Sequence, residues 1–330
     1  MRIAIVNGNP QALAALQAFV LAEPGLKLAW TATTGAAALT QCLQQRPELL
    51  LMDLLLPDGT GADAIHRIMA EAPCPIVVTT TSAQGNAPYE ALARGAMDAV
   101  ALLYPGPGEI QWSAMPLEPL RRKLAQFRRI LGTAPAPAPP ATAIRSPRLL
   151  AIGASTGGPA VIARLLGALA GPLPMPCVIV QHIDAEFADG MVRWLTSETK
   201  QSVTLALAGV LPEPGGVYLS GGGGHLVLDK AGRFAYRQEP LKCPYRPSID
   251  EFFLSACSQP LPAWALLLTG MGRDGARGLA KLRSAGWTTI AQEPASCAVA
   301  GMPQAAIDLA AAELVLDPAR MASMLSQLTA

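Results

Sequence analysis

The chain has 330 residues, 51% of them hydrophobic, enough for two globular domains with buried cores, which excludes a disordered or fibrous protein. Its 25 basic and 24 acidic residues are spread through the chain and leave a net charge of +1, so nothing in the charge points to nucleic acid or to an anionic membrane. No apolar run approaches the roughly 20 residues of a membrane span, and six scattered cysteines without CxxC spacing, behind a strand-like MRIAIVNGNP rather than a signal peptide, fit a reducing cytoplasm.

From the N-terminus, the apolar runs IAIVN (3–7), LKLAW (26–30), LLLMD (49–53), PIVVTT (75–80) and DAVALL (98–103) alternate with helical patterns. That alternation predicts a five-stranded parallel sheet. A last helix over about 115–131 sets Leu117, Leu120, Leu124, Phe127 and Leu131 on one stripe. Its basic residues Arg121, Arg122, Lys123, Arg128 and Arg129 form a solvated face. The stretch TAPAPAPPATAIRSP, 133–147, then replaces any hydrophobic period with proline and alanine and reads as an extended linker. It separates a domain over 1–132 from one over 148–330.

Beyond the linker, RLLAI (148–152), PCVIVQ (176–181), VTLAL (203–207), WALLLT (264–269), WTTIA (287–291) and ELVL (313–316) predict a second, doubly wound α/β domain. Between the third and fourth runs, GGVYLSGGGGHLVLDKAGRFAYR suggests a β-hairpin excursion.

LLAIGASTGGP opens this domain, and Gly153, Ser155 and Gly157 match G-x-S-x-G, a spacing that exposes a serine hydroxyl in a tight strand-to-helix turn. A serine there could equally cap the helix or cradle a phosphate at its N-terminus. A nucleophilic serine needs a base, and the chain has only His66, His182 and His225. His66 falls in a predicted helix of the first domain and reads as a surface or capping residue. His182 follows the strand PCVIVQ, at the strand end where open α/β sheets place ligands, and is favoured over His225, which follows SGGGG. Asp274, just after WALLLT, is the candidate orienting carboxylate, or else a helix N-cap.

The order Ser, His, Asp differs from the Ser, Asp, His of α/β-hydrolases. Together IGASTGGP, VQH, YRPSID, LTGMGRDGARGL and GMPQAAI resemble the catalytic domain of the chemotaxis-type protein-glutamate methylesterases, the CheB family, from about Arg148 to the C-terminus. The resemblance implies a Ser155, His182, Asp274 triad, with backbone N–H groups of Met271 and Thr156 at the oxyanion. It implies hydrolysis of glutamate γ-methyl esters on cytoplasmic chemoreceptor helices, with deamidation of receptor glutamines, and no cofactor for catalysis. Glu293 and Pro294 in AQEPAS stand where the family more often has an acidic pair. Arg246 and Ser248 of YRPSID either line the site or serve as loop and helix cap.

Residues 1–132 resemble a response-regulator receiver, which implies a flavodoxin-like sheet in 2-1-3-4-5 order. Asp53, ending LLLMD, matches the phosphoacceptor, and Thr80 or Thr81 the switch hydroxyl. The acidic pair that binds Mg²⁺ is replaced by Asn7, Gly8 and Asn9, and Leu102 and Leu103 stand where Lys-Pro is usual. Weak Mg²⁺ binding and a degenerate receiver are therefore expected. MRIAIVN and RIMAEAPCPIVVTTTS further resemble the Wsp-type branch, which adapts a system controlling cyclic-di-GMP. The partners implied are methylated receptors and a CheA-type histidine kinase. The competing classes are a catalytically weak docking regulator and, behind it, a nucleotide-binding module, which lacks both a P-loop lysine and a full G-x-G-x-x-G.

Overall fold

The computed structural model describes residues 1–81, 86–102, 117–130, 148–221, 223–240, 243, 245–260 and 262–329. The linker 133–147 and Leu103 lie outside them, as do the side chains of Phe127, Arg128 and Arg129. The chain divides into two compact units, Met1–Leu131 and Gly132–Ala330.

In the first unit, β1 (Arg2–Val6), α1 (Pro10–Ala22), β2 (Lys27–Ala32), α2 (Gly35–Gln44) and β3 (Leu49–Asp53) lead to a two-residue hairpin, β4 (Leu55–Leu56) and β5 (Gly59–Thr60). There follow α3 (Gly61–Glu71), β6 (Ile76–Thr80), α4 (Ala87–Ala93), β7 (Asp98–Ala101) and α5 (Glu118–Ile130). The parallel sheet runs β2-β1-β3-β6-β7, the order the receiver resemblance implies. Its three central strands, β1, β3 and β6, are almost wholly buried, as continuous apolar runs covered on both faces should be, while the edge strands β2 and β7 are more exposed. On α5, Leu120 and Leu124 are buried, while Arg121 pairs with Glu23 and Glu118 at the surface.

The second unit contains β8 (Leu150–Ala154), α6 (Gly158–Gly167), β9 (Cys177–Gln181), α7 (Ala185–Thr199), β10 (Val203–Leu205), β11 (Val217–Leu219), β12 (His225–Leu228) and β13 (Phe234–Arg237). It closes with α8 (Ile249–Ala256), β14 (Trp264–Leu267), α9 (Ala276–Ser284), β15 (Thr288–Gln292), α10 (Gly301–Asp308), β16 (Leu314–Leu316) and α11 (Pro318–Ser326). Its sheet has seven strands in the order β10-β11-β9-β8-β14-β15-β16, all parallel pairs.

One expectation is corrected here. The glycine-rich segment is not wholly a hairpin excursion: only β12 and β13 form the antiparallel pair, and Val217–Leu219 enters the main sheet between β10 and β9. Burial explains it, because Val217 and Leu219 are 1% and 0% exposed and an apolar strand of that kind needs cover on both sides.

Because β8 is flanked by β9 on one side and β14 on the other, the chain reverses direction across the sheet there, making a crevice at the carboxyl ends of these strands. Helix α8 lies directly on β8 at Gly153. A Cβ at that position would strike Ile249 Cγ2 and come within 3.2 Å of Leu267 Cδ1 and of Phe253 Cζ. Gly153→Ala should therefore cost about 1–3 kcal/mol through overpacking, read as a lower urea midpoint with an unchanged m-value.

Candidate active site

Three adjacent strands deliver the three candidate residues to one crevice. Ser155 follows β8, His182 follows β9 and the 268–275 turn carrying Asp274 follows β14. Ala154 pairs with Gln181 in register, and His182 N–H donates to Ala154 O at 3.0 Å, so serine and histidine leave neighbouring strand ends. All three are largely buried; Ser155 and Asp274 are each 6% exposed. The serine turn depends on Gly157, whose φ of 76° is a left-handed value that side chains with a Cβ rarely adopt.

The Asp274 carboxylate gathers four hydrogen bonds. Oδ2 lies 2.7 Å from His182 Nε2 and accepts the Ile249 N–H at 2.7 Å. Oδ1 accepts the Ser248 hydroxyl at 2.9 Å and the Asp250 N–H at 3.1 Å. Burial pushes this carboxyl up, but the His182 hydrogen bond and charge and the α8 amides outweigh it and hold the group below its ordinary value. Asp274 is thus a helix cap as well as the histidine's partner, and the helix it caps is α8, whose N-cap is Ser248.

His225 has a different place. It is fully buried at the start of β12, where Nδ1 accepts the Ser248 N–H at 3.1 Å, so it supports the cap rather than reaching Asp274. His66 is exposed on α3. The Arg246 guanidinium is exposed and donates to Gln238 Oε1 and O.

Sequence reasoning missed three supporting residues. Gln181 Nε2 donates to Ser155 O at 2.9 Å and to His182 O at 3.1 Å, clamping both backbones. Thr269 Oγ1 lies 3.0 Å from Thr156 O and accepts the Val299 N–H, tying the turn after Ser155 to the segment containing Glu293 and Pro294. Tyr245 stacks on the His182 ring with centroids 4.6 Å apart and planes 7° apart. Its place in YRPSID was visible in the sequence, but nothing local signals that a tyrosine will meet an imidazole 63 positions away. Met271 is buried, and its N–H donates to no acceptor among the described residues.

The CheB methylesterase profile matches residues 150–325, and the response-regulator receiver domain profile matches residues 3–101. The chain belongs to the CheB methylesterase family. Among its relatives, a protein-glutamate methylesterase/protein-glutamine glutaminase of Cupriavidus metallidurans is 45% identical, covering 98% of this chain and 97% of that one. Another of the same name, from Pseudomonas aeruginosa, is 43% identical with 99% of each chain covered. The crystal structure of the Thermotoga maritima CheB methylesterase catalytic domain is 32% identical, with a TM-score of 0.53, spanning 56% of this chain and all of that one.

The receiver of this CheB-family chain has its own cavity of about 680 Å³ at the carboxyl end of its sheet, lined by Asp53, by 7–11, by 55–57, by Thr79, Thr80 and Thr81 and by Leu102. Asp53 Oδ1 accepts the Leu54 N–H at 2.7 Å and the Leu55 N–H at 3.4 Å. Burial raises its pKa more than those two bonds lower it. Asn7 Oδ1 accepts the Asn9 N–H, and Asn9 Oδ1 caps α1 through Gln11 and Ala12. Asp58, the next acid along, caps α2 through the Gly35 and Ala36 N–H groups.

Ser248→Ala should remove both a buried hydrogen bond to Asp274 and the α8 cap, costing about 1–3 kcal/mol in chemical denaturation. The depressed Asp274 pKa fixes the sign of a second effect. Its ionised form is the one the fold favours, so its contribution is present above the ordinary carboxyl value of about 3.9 and is lost as pH falls through the folded value. Urea midpoints across a pH series should show the parent's advantage over Asp274→Asn shrinking on the acid side and full near neutrality.

Proposed function

We propose that this chain is a protein-glutamate methylesterase that hydrolyses glutamate γ-methyl esters on the cytoplasmic helices of methylated chemoreceptors, with glutamine deamidation as a second activity. The observation that carries the reading is the buried Asp274 to His182 contact at the switch point of the sheet, one strand from Ser155. The curated relatives, matched end to end, bear the same activity in their names.

The His182 to Asp274 contact supports the following assignment of roles. With His182 Nε2 on Asp274, Nδ1 is the nitrogen left to take the Ser155 proton as Oγ attacks the ester carbonyl. Asp274 stays ionised, held by the α8 N-terminus, and stabilises the imidazolium. The Met271 and Thr156 N–H groups are the proposed donors to the developing oxyanion, where one donor is typically worth about 3 kcal/mol. Methanol leaves with the proton returned by His182. Water then repeats the sequence on the acyl-serine, releasing Ser155 and a glutamate carboxylate. On a glutamine side chain the same steps release ammonia. Tyr245 packs the imidazole plane and Gln181 holds the two strand ends in register, which keeps these groups aligned without any cofactor.

At the receiver, the residues present do not fit Mg²⁺. A hard dication needs several anionic oxygens, and Asp53 is the single carboxylate lining the cavity among the described residues. The Asn7 amide oxygen is engaged by Asn9, and Gly8 brings no donor. Asp53 is accordingly a remnant of a phosphoacceptor, and Thr80 and Thr81 are switch hydroxyls without the switch chemistry. The proposed setting is the cytoplasm, beside a CheA-type kinase in a system of the Wsp type. Among the described residues, no helix is long and apolar enough to cross a membrane.

Methanol release from methylated receptor membranes tests the reading. The parent should release it, and Ser155→Ala should lose at least about a thousandfold in rate with its denaturation midpoint retained. Full activity in that variant would remove Ser155 from the mechanism.

A further inference from the structure

We propose that the receiver cavity around Asp53 binds a small organic monocation, a primary ammonium or amidinium on a short apolar body, with Asp53 as its counter-ion. The site lies within the size range of small-molecule pockets. It goes beyond the esterase reading and stands independently of it.

Asp53 is half-buried, and its recorded hydrogen bonds come from the backbone of the next two residues, both to Oδ1. No lysine or arginine lines the cavity among the described residues. A partly desolvated carboxylate without a cation is costly to keep, and its protonation becomes easier, which is the direction burial gives here. A ligand that brings one positive charge relieves that cost. Two would be left half-neutralised, and an anion would meet repulsion.

Shape and polarity narrow the chemistry. The place where a second carboxylate would stand is closed, because a Cβ on Gly8 would lie 2.8 Å from Pro57 Cδ and 3.1 Å from Leu55 O. The site cannot regain a dication cage without moving that loop. Its remaining polar groups are uncharged amides and hydroxyls, which can accept N–H donors. Thr79 is the partner of Asp53 in the register of β3 and β6, so both side chains leave the same face of the sheet. Its Oγ1 is buried at 3% residue exposure and has no hydrogen-bond partner among the described residues, a group that an N–H of the ligand would satisfy. Apolar walls come from Leu56, Pro57 and the buried Leu102, which suit a short hydrocarbon body.

The test is calorimetric titration of the full chain with n-butylammonium, with n-butanol as the uncharged isostere, and with Mg²⁺ plus beryllofluoride. Saturable butylammonium binding is expected, at least about tenfold tighter than butanol and weakened at least about tenfold by Asp53→Asn. Thr79→Val supplies a second variant and should weaken it severalfold. Circular dichroism confirms that each variant is folded. Absence of saturable butylammonium binding would overturn the proposal, as would equal affinity for the alcohol or undiminished binding in Asp53→Asn. Beryllofluoride binding that requires Mg²⁺ and Asp53 would overturn it too, by restoring the site to phosphoryl chemistry. None of these readouts depends on ester hydrolysis, so failure here leaves the esterase assay intact and failure there leaves this one.

Discussion

The catalytic unit depends on the junction between the Asp274 carboxylate and the N-terminus of α8. A carboxylate that is 94% buried is costly to keep ionised unless its oxygens are satisfied. Here two backbone N–H groups, a hydroxyl and an imidazole do so at once. The helix gains the acceptors its first turn lacks, and the histidine gains a fixed orientation. The same helix packs closely on β8, where Gly153 leaves room for Ile249 and Phe253. His225, through the Ser248 N–H, extends this junction into the β12 to β13 hairpin.

The receiver shows the opposite development. Its sheet order, buried strands and capped helices are those of an intact domain, and PDG still turns the chain so that Asp58 caps α2. At the carboxyl edge of the sheet the cavity is lined by one carboxylate among hydroxyls, amides and apolar walls.

Most of the architecture was legible in the sequence because buried parallel strands are continuous apolar runs, and eleven such runs stand out between turn residues. The exception, Val217–Leu219, is three residues long inside a glycine-rich stretch, too short for a period to declare itself. Strand ends were also what singled out Ser155, His182 and Asp274 as candidates, since open sheets concentrate chemistry there. The contacts that hold these residues were not legible. Tyr245 stacks on a ring 63 positions earlier, and Thr269 bridges Thr156 and Val299; both depend on how loops fold back over the strand ends, which no local pattern encodes. Asp274 read as a cap or as a triad member, and the structure shows that it caps a helix while bonding the histidine.

The two amides that face Asp274 have a consequence for dynamics. Ile249 and Asp250 N–H can exchange with solvent only when the first turn of α8 lets go of the carboxylate. Each such opening also deprives His182 of its partner. Their exchange rates therefore bound the fraction of time that His182 spends without its carboxylate, and on the proposed mechanism a substitution that loosens α8, however far from the crevice, brakes turnover by raising that fraction.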